Sequence, residues 1–144
     1  MKRQAFSIIS LLSLLLMAGS AIAQTVRVHG NIPFNFSAGG KTLPAGAYDV
    51  GTLNNGDGKM LLLQARDGNA HVMVSSNAAI ATKCPEKSVL VFNRYGGQYF
   101  LSEIWVAGET SGRHLAKSSR EKELAKELAS DFRQQRVEVV ASLY

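Results

Sequence analysis

Acidic side chains in the middle of the chain offer the clearest possibility of catalytic chemistry. Glu103 lies two residues before Trp105 in "YFLSEIWV", and Glu109 follows a few residues later. Two carboxyl groups that converge in one cleft can act as general acid and base, as in glycoside hydrolysis. Spacing along the chain does not bring these carboxyl groups together. A hydrolase is therefore the weaker hypothesis, an enzyme is disfavoured, and no catalytic residue is assigned.

Aromatic residues in strand-like segments suggest a binding surface instead. Tyr95, Tyr99 and Trp105 lie within "SVLVFNRY" and "QYFLSEIWV", and Glu103 lies among them. An aromatic ring offers a flat apolar face on which a sugar or another flat ligand can stack. These four residues are the candidate binding residues, and packing in the core is the alternative for the three rings.

No metal or cofactor site is predicted. The histidines His29, His71 and His114 lie far apart, without cysteine or carboxylate neighbours at metal-ligand spacing. The loop "NNGDG" at 54–58 lacks the frame of a calcium loop and is typical of a hairpin turn. The sequence also lacks phosphate-binding, nucleophile-elbow and zinc-protease motifs.

Cys84 is the single cysteine, so an intramolecular disulfide is excluded. The thiol is either free or paired with another chain. A catalytic role is disfavoured because Pro85 follows it and no histidine lies nearby.

The first 23 residues have the pattern of a signal peptide. Lys2 and Arg3 precede an apolar stretch too short to span a bilayer, and "AIA" at 21–23 supplies small residues for cleavage. We expect residues 1–23 to be removed and a single domain, 24–144, to be exported to the periplasm or the extracellular space. No other apolar run is long enough for a transmembrane helix.

The charge pattern argues against a nucleic-acid partner. The chain has 16 basic and 11 acidic residues, and removal of Lys2 and Arg3 lowers the net charge from +5 to +3. The remaining basic residues are scattered and form no continuous stripe.

Period-two alternation predicts strands over most of the domain. Between Thr25 and Phe36 the apolar residues fall on even positions, which predicts a long bent strand at a sheet edge. Turn signals such as "LPAG" and Gly96–Gly97 recur about every ten residues. This spacing predicts an all-β domain of about 6–8 antiparallel strands, either a small barrel or a sandwich.

The pattern changes to that of one amphipathic helix near the C-terminus. Ser118 and Glu121 form a capping motif, and Leu124, Leu128 and Phe132 follow at spacing four. We predict a helix over about 118–132 that docks on the sheet or plugs a barrel end. The tail at 137–144 is β-prone, and whether it forms a strand is left open.

Three motifs together resemble an uncharacterised family of small exported bacterial proteins. They are the strand and turn "IPFNFSAGGKTLPAGAYDV", the hairpin "LVFNRYGGQYFLSEIW" and the charged helix "SSREKELAKEL". The resemblance covers nearly all of the mature chain. It implies export and a compact β-domain with a terminal helix, and it brings no activity, cofactor or catalytic residue.

The sequence thus favours a non-enzymatic exported domain that binds a small ligand or an envelope protein. The alternative is a structural subunit of an envelope or surface assembly that pairs through the edge of the first strand. The identity of the ligand and the oligomeric state do not follow from the residues.

Overall fold

The computed structural model describes residues 26–53, 58–129 and 134–143. The predicted signal peptide at 1–23, the loop residues 54–57 and the predicted helix position Phe132 lie outside these residues. The described residues form ten strands and one helix: β1 (Arg27–Ile32), β2 (Phe36–Ala38), β3 (Lys41–Leu43), β4 (Gly46–Thr52), β5 (Met60–Ala65), β6 (His71–Ile80), β7 (Ser88–Tyr95), β8 (Gln98–Trp105), β9 (Ser111–Leu115), α1 (Ser119–Glu127) and β10 (Gln135–Leu143).

Eight of the strands close into a barrel. Their order around the wall is β8, β7, β10, β1, β4, β5, β6 and β9, and β9 pairs back to β8. All neighbours in this circuit are antiparallel. The predicted all-β class with a C-terminal helix is confirmed. The structure also decides for a barrel over a sandwich, and the tail forms the strand β10.

The hairpin of β2 and β3 fills a gap in the wall. β9 pairs with β8 only at Glu103–Trp105 and with β6 only from Ser76 onward. Where β9 does not reach, β2 pairs with β8 at Phe100. The turn after β2 approaches β6 so closely that a Cβ atom on Gly39 would lie 2.6 Å from Cγ1 of Val74. The hairpin therefore bridges β8 and the first half of β6.

Alternating side chains fill the barrel interior. Leu61 and Leu63 of β5 meet Leu90 and Phe92 of β7 in one core, and all four are 0 % exposed. The centre of the barrel is therefore occupied by protein side chains. Four of the five even-numbered apolar residues of the first predicted strand are buried in the same core: Val26, Val28, Ile32 and Phe36. The fifth, Phe34, is half-buried and packs against that core.

β1 does not lie at an edge, so that prediction was wrong. Val28 is the register partner of Val50 on β4 and of Leu143 on β10. The C-terminal strand β10 pairs with the side of β1 that was predicted to be an unpaired edge. The chain also leaves the strand conformation at Pro33, where a ladder donor is missing, and resumes as β2.

The helix docks on the outer face of β7 and β8. Leu124 packs with Tyr95 and Phe100 in a second small cluster. Ser118 Oγ accepts a hydrogen bond of 3.2 Å from the backbone N–H of Glu121, which agrees with the predicted cap. Glu127 is the last residue of α1, whereas the predicted helix extended to about 132.

Candidate functional site

A groove lies on the outer face of the barrel where β7, β8 and β10 run side by side. It has a volume of about 510 Å³. We call it the Trp105 groove, because Trp105 is its largest lining residue. The strands contribute Val89, Trp105, Arg136, Glu138 and Val140. The loop between β6 and β7 contributes Lys83, Pro85, Glu86 and Lys87.

Strand register places the apolar lining residues in one row. Val140 pairs with Val89, Val89 with Trp105, and Trp105 with Gly112. Register partners in antiparallel strands point to the same face of the sheet. The floor of the groove is therefore a continuous apolar row that crosses four strands, and Val140 is 61 % exposed within it.

Trp105 is fixed in orientation by contacts on two sides. Its indole N–H donates to Oε2 of Glu103 across 2.7 Å. A Cβ atom on Gly112 would collide with Cε3 and Cζ3 of the indole. The benzene part of the ring thus lies over Gly112, in the space that a side chain would otherwise fill, and the half-buried ring presents its remaining surface to the groove.

An ion-pair network borders this ring. Arg136 Nη2 lies 3.2 Å from Oε2 of Glu103, and Nη1 donates to Oε1 across 3.3 Å. Arg136 Nε donates to Oε1 of Glu138, also across 3.3 Å. Arg136 is on β10 and Glu103 is on β8, so the pair spans the intervening β7. Val91 on that strand is 1 % exposed.

The loop between β6 and β7 forms the other wall and contains the single cysteine. Cys84 lies between the lining residues Lys83 and Pro85, and its free thiol is exposed. The backbone carbonyl of Pro85 accepts from the N–H of Gly108 across 2.9 Å, which ties the loop to the turn after β8. The loop that bounds this side of the groove is thus held in place by a backbone hydrogen bond.

Tyr95, a predicted binding residue, lies beneath α1 and is 4 % exposed. Its hydroxyl donates to Oε1 of Glu121 across 3.2 Å, and Asn93 Nδ2 donates to the same oxygen across 2.9 Å. Burial raises the pKa of the Tyr95 phenol, and the negative charge of Glu121 acts in the same direction, while Lys117 opposes it. Tyr95 therefore belongs to the buried polar contact that holds the helix.

Tyr99, another predicted binding residue, lies at one end of the barrel. Its ring stacks on Phe34 at a centroid separation of 3.8 Å, and the Arg94 guanidinium lies 5.5 Å from its centroid. Phe34 in turn meets Phe92 edge to face at 5.1 Å. Tyr99 therefore packs against the core, and neither tyrosine lines the Trp105 groove. Of the four predicted binding residues, the structure brings together only Trp105 and Glu103.

The residues considered for hydrolysis or metal binding are distributed over the barrel. Glu103 and His114 are register partners on β8 and β9, whereas His29 and His71 lie on β1 and β6. Glu109 lies in the loop before β9. Within the described ranges, no group of three or more histidine, cysteine, aspartate or glutamate residues is placed to hold a metal ion.

Sequence reasoning missed the contribution of β10 to the groove. Arg136, Glu138 and Val140 lie at every second position of "QRVEVVASL" and thus share one face. Once a strand is assumed for this segment, the alternation predicts that the three side chains share one face. Nothing in the sequence indicated that this face would meet Trp105.

The part of the chain that the structure describes contains no helix with the length and hydropathy needed to cross a bilayer.

No family model matches the chain, and no match was found among curated proteins or solved structures.

Proposed function

We propose that this protein is an exported, non-enzymatic β-barrel domain that binds a small ligand in the Trp105 groove. The observation that carries the proposal is the fixed orientation of Trp105, between Gly112 and the carboxylate of Glu103. An aromatic surface with a few placed polar groups is typical of small-ligand sites, which have volumes of about 300–1,000 Å³. The groove volume of about 510 Å³ lies within this range.

The packed interior supports a site on the outer face. Leu61, Leu63 and Phe92 occupy the centre of the barrel, where many ligand-binding barrels hold their ligand. A binding role is also favoured over hydrolysis by the contacts of Glu103. Both of its carboxylate oxygens already accept hydrogen bonds, from Trp105 and from Arg136. A carboxylate held in this way positions the indole ring.

Export to the periplasm or the extracellular space is the second part of the proposal. It is supported by Lys2, Arg3, the short apolar stretch and the small residues at 21–23. Expression of the full chain in a bacterial host, followed by mass measurement of the exported fraction, tests it. We expect a mature chain that starts at Gln24. An intact chain retained in the cytoplasm would contradict export without affecting the binding proposal.

Cys84 provides a direct test of binding in the groove. A polarity-sensitive dye on this exposed thiol would lie at the groove wall, and the chain offers no second cysteine to label. Labelled protein is titrated with small sugars, aromatic carboxylates, fatty acids and proline-rich peptides. We expect a saturable dye response to at least one class in the unmodified protein and its loss in Trp105→Ala.

Self-association is the outcome that favours a structural subunit instead. The alternative hypothesis used the edge of the first strand, but β1 is paired on both sides. The binding proposal would therefore be overturned if the dye fluorescence changed with protein concentration but with none of the ligands. Sedimentation would then show dimers. This outcome would also show that the groove itself is an interface between copies.

A further inference from the structure

We infer that the ligand of the Trp105 groove is a neutral saccharide whose ring stacks on Trp105. This inference rests on the proposed function, and it specifies the ligand class of the same site. Three features of the groove support it: the platform, the hydrogen-bonding groups beside it and the balance of charge around it.

The platform suits the C–H face of a sugar ring. Trp105 is held against Gly112 and by Glu103, so its orientation needs no reorganisation when a ligand arrives. Val89 and Val140 continue the apolar row beside it. A ligand that buries one flat apolar face on this row gains free energy from the area removed from water.

The groups beside the platform both donate and accept hydrogen bonds. The Glu138 carboxylate accepts from Arg136 through Oε1 and retains acceptor capacity, since a carboxylate has about four lone-pair sites. Lys83 and Lys87 on the opposite wall are donors. Neighbouring hydroxyl groups on a sugar both donate and accept, so they can use the two walls together.

The charges around the groove balance. Lys83, Lys87 and Arg136 provide three positive charges. Glu86 and Glu138 in the lining, together with Glu103 beside Trp105, provide three negative charges. A site without a net charge gives an ionic ligand no overall electrostatic attraction. A neutral ligand is therefore favoured over an anion or a cation.

Other neutral ligands fit the groove less well. A fatty chain or an unsubstituted aromatic ring would contact Trp105 but would cover charged side chains without replacing their hydrogen bonds to water. Covering polar groups without compensation is costly. A polyhydroxylated ring satisfies both the apolar floor and the polar walls.

The intrinsic fluorescence of Trp105 reports on this site alone, because the chain has a single tryptophan. The mature protein is titrated with three neutral trisaccharides, built from β-1,4-linked glucose, α-1,4-linked glucose and β-1,4-linked N-acetylglucosamine. A galacturonate trisaccharide, an aromatic carboxylate and a proline-rich peptide serve as competing classes. We expect a neutral trisaccharide to shift the emission saturably, with little change in affinity between about 0.05 and about 0.5 M salt.

Calorimetry on variants assigns the binding to the groove. Trp105→Ala is expected to weaken saccharide affinity by about tenfold or more, and Glu138→Gln by a smaller factor. Trp105→Phe keeps a ring and is expected to bind at an intermediate level, which separates loss of stacking from misfolding. Met73→Ala is the matched control: Met73 is 59 % exposed on β6, outside the groove, and the variant should bind as the unmodified protein does.

The outcomes separate the ligand class from the binding function. If a competing class binds in a Trp105-dependent way and the neutral trisaccharides do not, the saccharide inference is overturned and the groove remains a binding site. If the folded protein binds no probe, both are overturned. Saccharide binding that survives in Trp105→Ala would also overturn the inference, because the stacking platform would not be used.

Discussion

The indole N–H of Trp105 donates to Oε2 of Glu103 across 2.7 Å, and one residue separates the two on β8. Residues two apart on a strand share a face, so the carboxylate lies beside the ring. Arg136 reaches Glu103 from β10 and links the pair to a second strand. These contacts therefore fix the ring against the wall of the barrel. Each of the contacting residues can be substituted separately.

Replacing Glu103 by Gln should cost little stability. The substitution keeps an acceptor for the indole N–H but removes the ion pair with Arg136, whose side chain is 52 % exposed. Exposed ion pairs contribute about 0–1 kcal/mol to the free energy of unfolding, and salt screens them. Urea denaturation at low and high salt should show a loss below about 1 kcal/mol that shrinks at high salt. A loss above about 3 kcal/mol would mean that the pair behaves as a buried one.

Gly112→Ala should destabilise the protein and release the indole ring. A Cβ atom there would lie 2.7 Å from the backbone oxygen of Ile104 and would also collide with Trp105. Such overpacking costs about 1–3 kcal/mol, and the emission of the displaced indole should move to longer wavelength. Gly97→Ala is the control, because Gly97 has open space at its Cβ position and needs no left-handed backbone. Equal behaviour of the two variants would argue against the contact between Gly112 and Trp105.

Glu121→Ala should be strongly destabilising. Glu121 is 4 % exposed and accepts hydrogen bonds from Asn93 and Tyr95. Its removal takes this acceptor away from the buried Asn93 amide, while the Tyr95 hydroxyl keeps Gln134 Oε1 as an acceptor at 3.3 Å. We expect a loss of about 2–3 kcal/mol in urea denaturation, together with faster hydrogen exchange in α1. Glu123→Ala removes an exposed carboxylate from the same helix, with an expected change within about 0.5 kcal/mol. A small loss for Glu121→Ala would show that water replaces the carboxylate.

Stability should fall at alkaline pH because two buried tyrosines resist ionisation. Burial raises the pKa of Tyr48 and of Tyr95 above the ordinary value of about 10. Between the unfolded and the folded pKa the native state binds more protons than the unfolded state. The contribution to stability is therefore complete below pH 10 and is lost as pH rises through the folded pKa.

Absorbance of the ionised phenol measures this effect directly. Tyr48 and Tyr95 should ionise at higher pH in the native protein than in urea, and the unfolding free energy should decrease above about pH 10. The double variant Tyr48→Phe/Tyr95→Phe should show a flatter pH dependence in that range. An unchanged slope in the variant would assign the alkaline loss to other groups.

The β-bulge in β8 explains why sequence reasoning placed only part of the site correctly. Simple alternation puts Tyr99, Leu101, Glu103 and Trp105 on one face. In the structure Val91 pairs with Glu103 and Phe92 with Leu101, so the register skips a residue of β8 between them. The extra residue reverses which side chains of β8 point inward. Tyr99 therefore packs against the core, while Trp105 lies on the outer face. The sequence carries no clear signal for this bulge.

Local features were predictable because they depend on neighbours in the chain. The Gly96–Gly97 hairpin, the even-numbered core residues from Val26 to Phe36 and the Ser118 cap all appear in the structure. The signal-peptide pattern at 1–23 is also local in sequence, and export stays a prediction. The edge position of the first strand failed because its partner β10 lies about a hundred residues away in sequence, and alternation within one strand does not identify such a partner.

By itself, the sequence determined the alternation of the first strand, the Gly96–Gly97 turn, the position of the helix cap and the exclusion of an intramolecular disulfide. These depend on residue types within a few positions of one another. Tertiary structure alone decided that the sheet closes, that α1 covers Tyr95, and that Arg136 meets Glu103 beside Trp105. Barrel closure brings distant strands together and a bulge reverses side-chain direction, and both depend on the packing of the whole sheet.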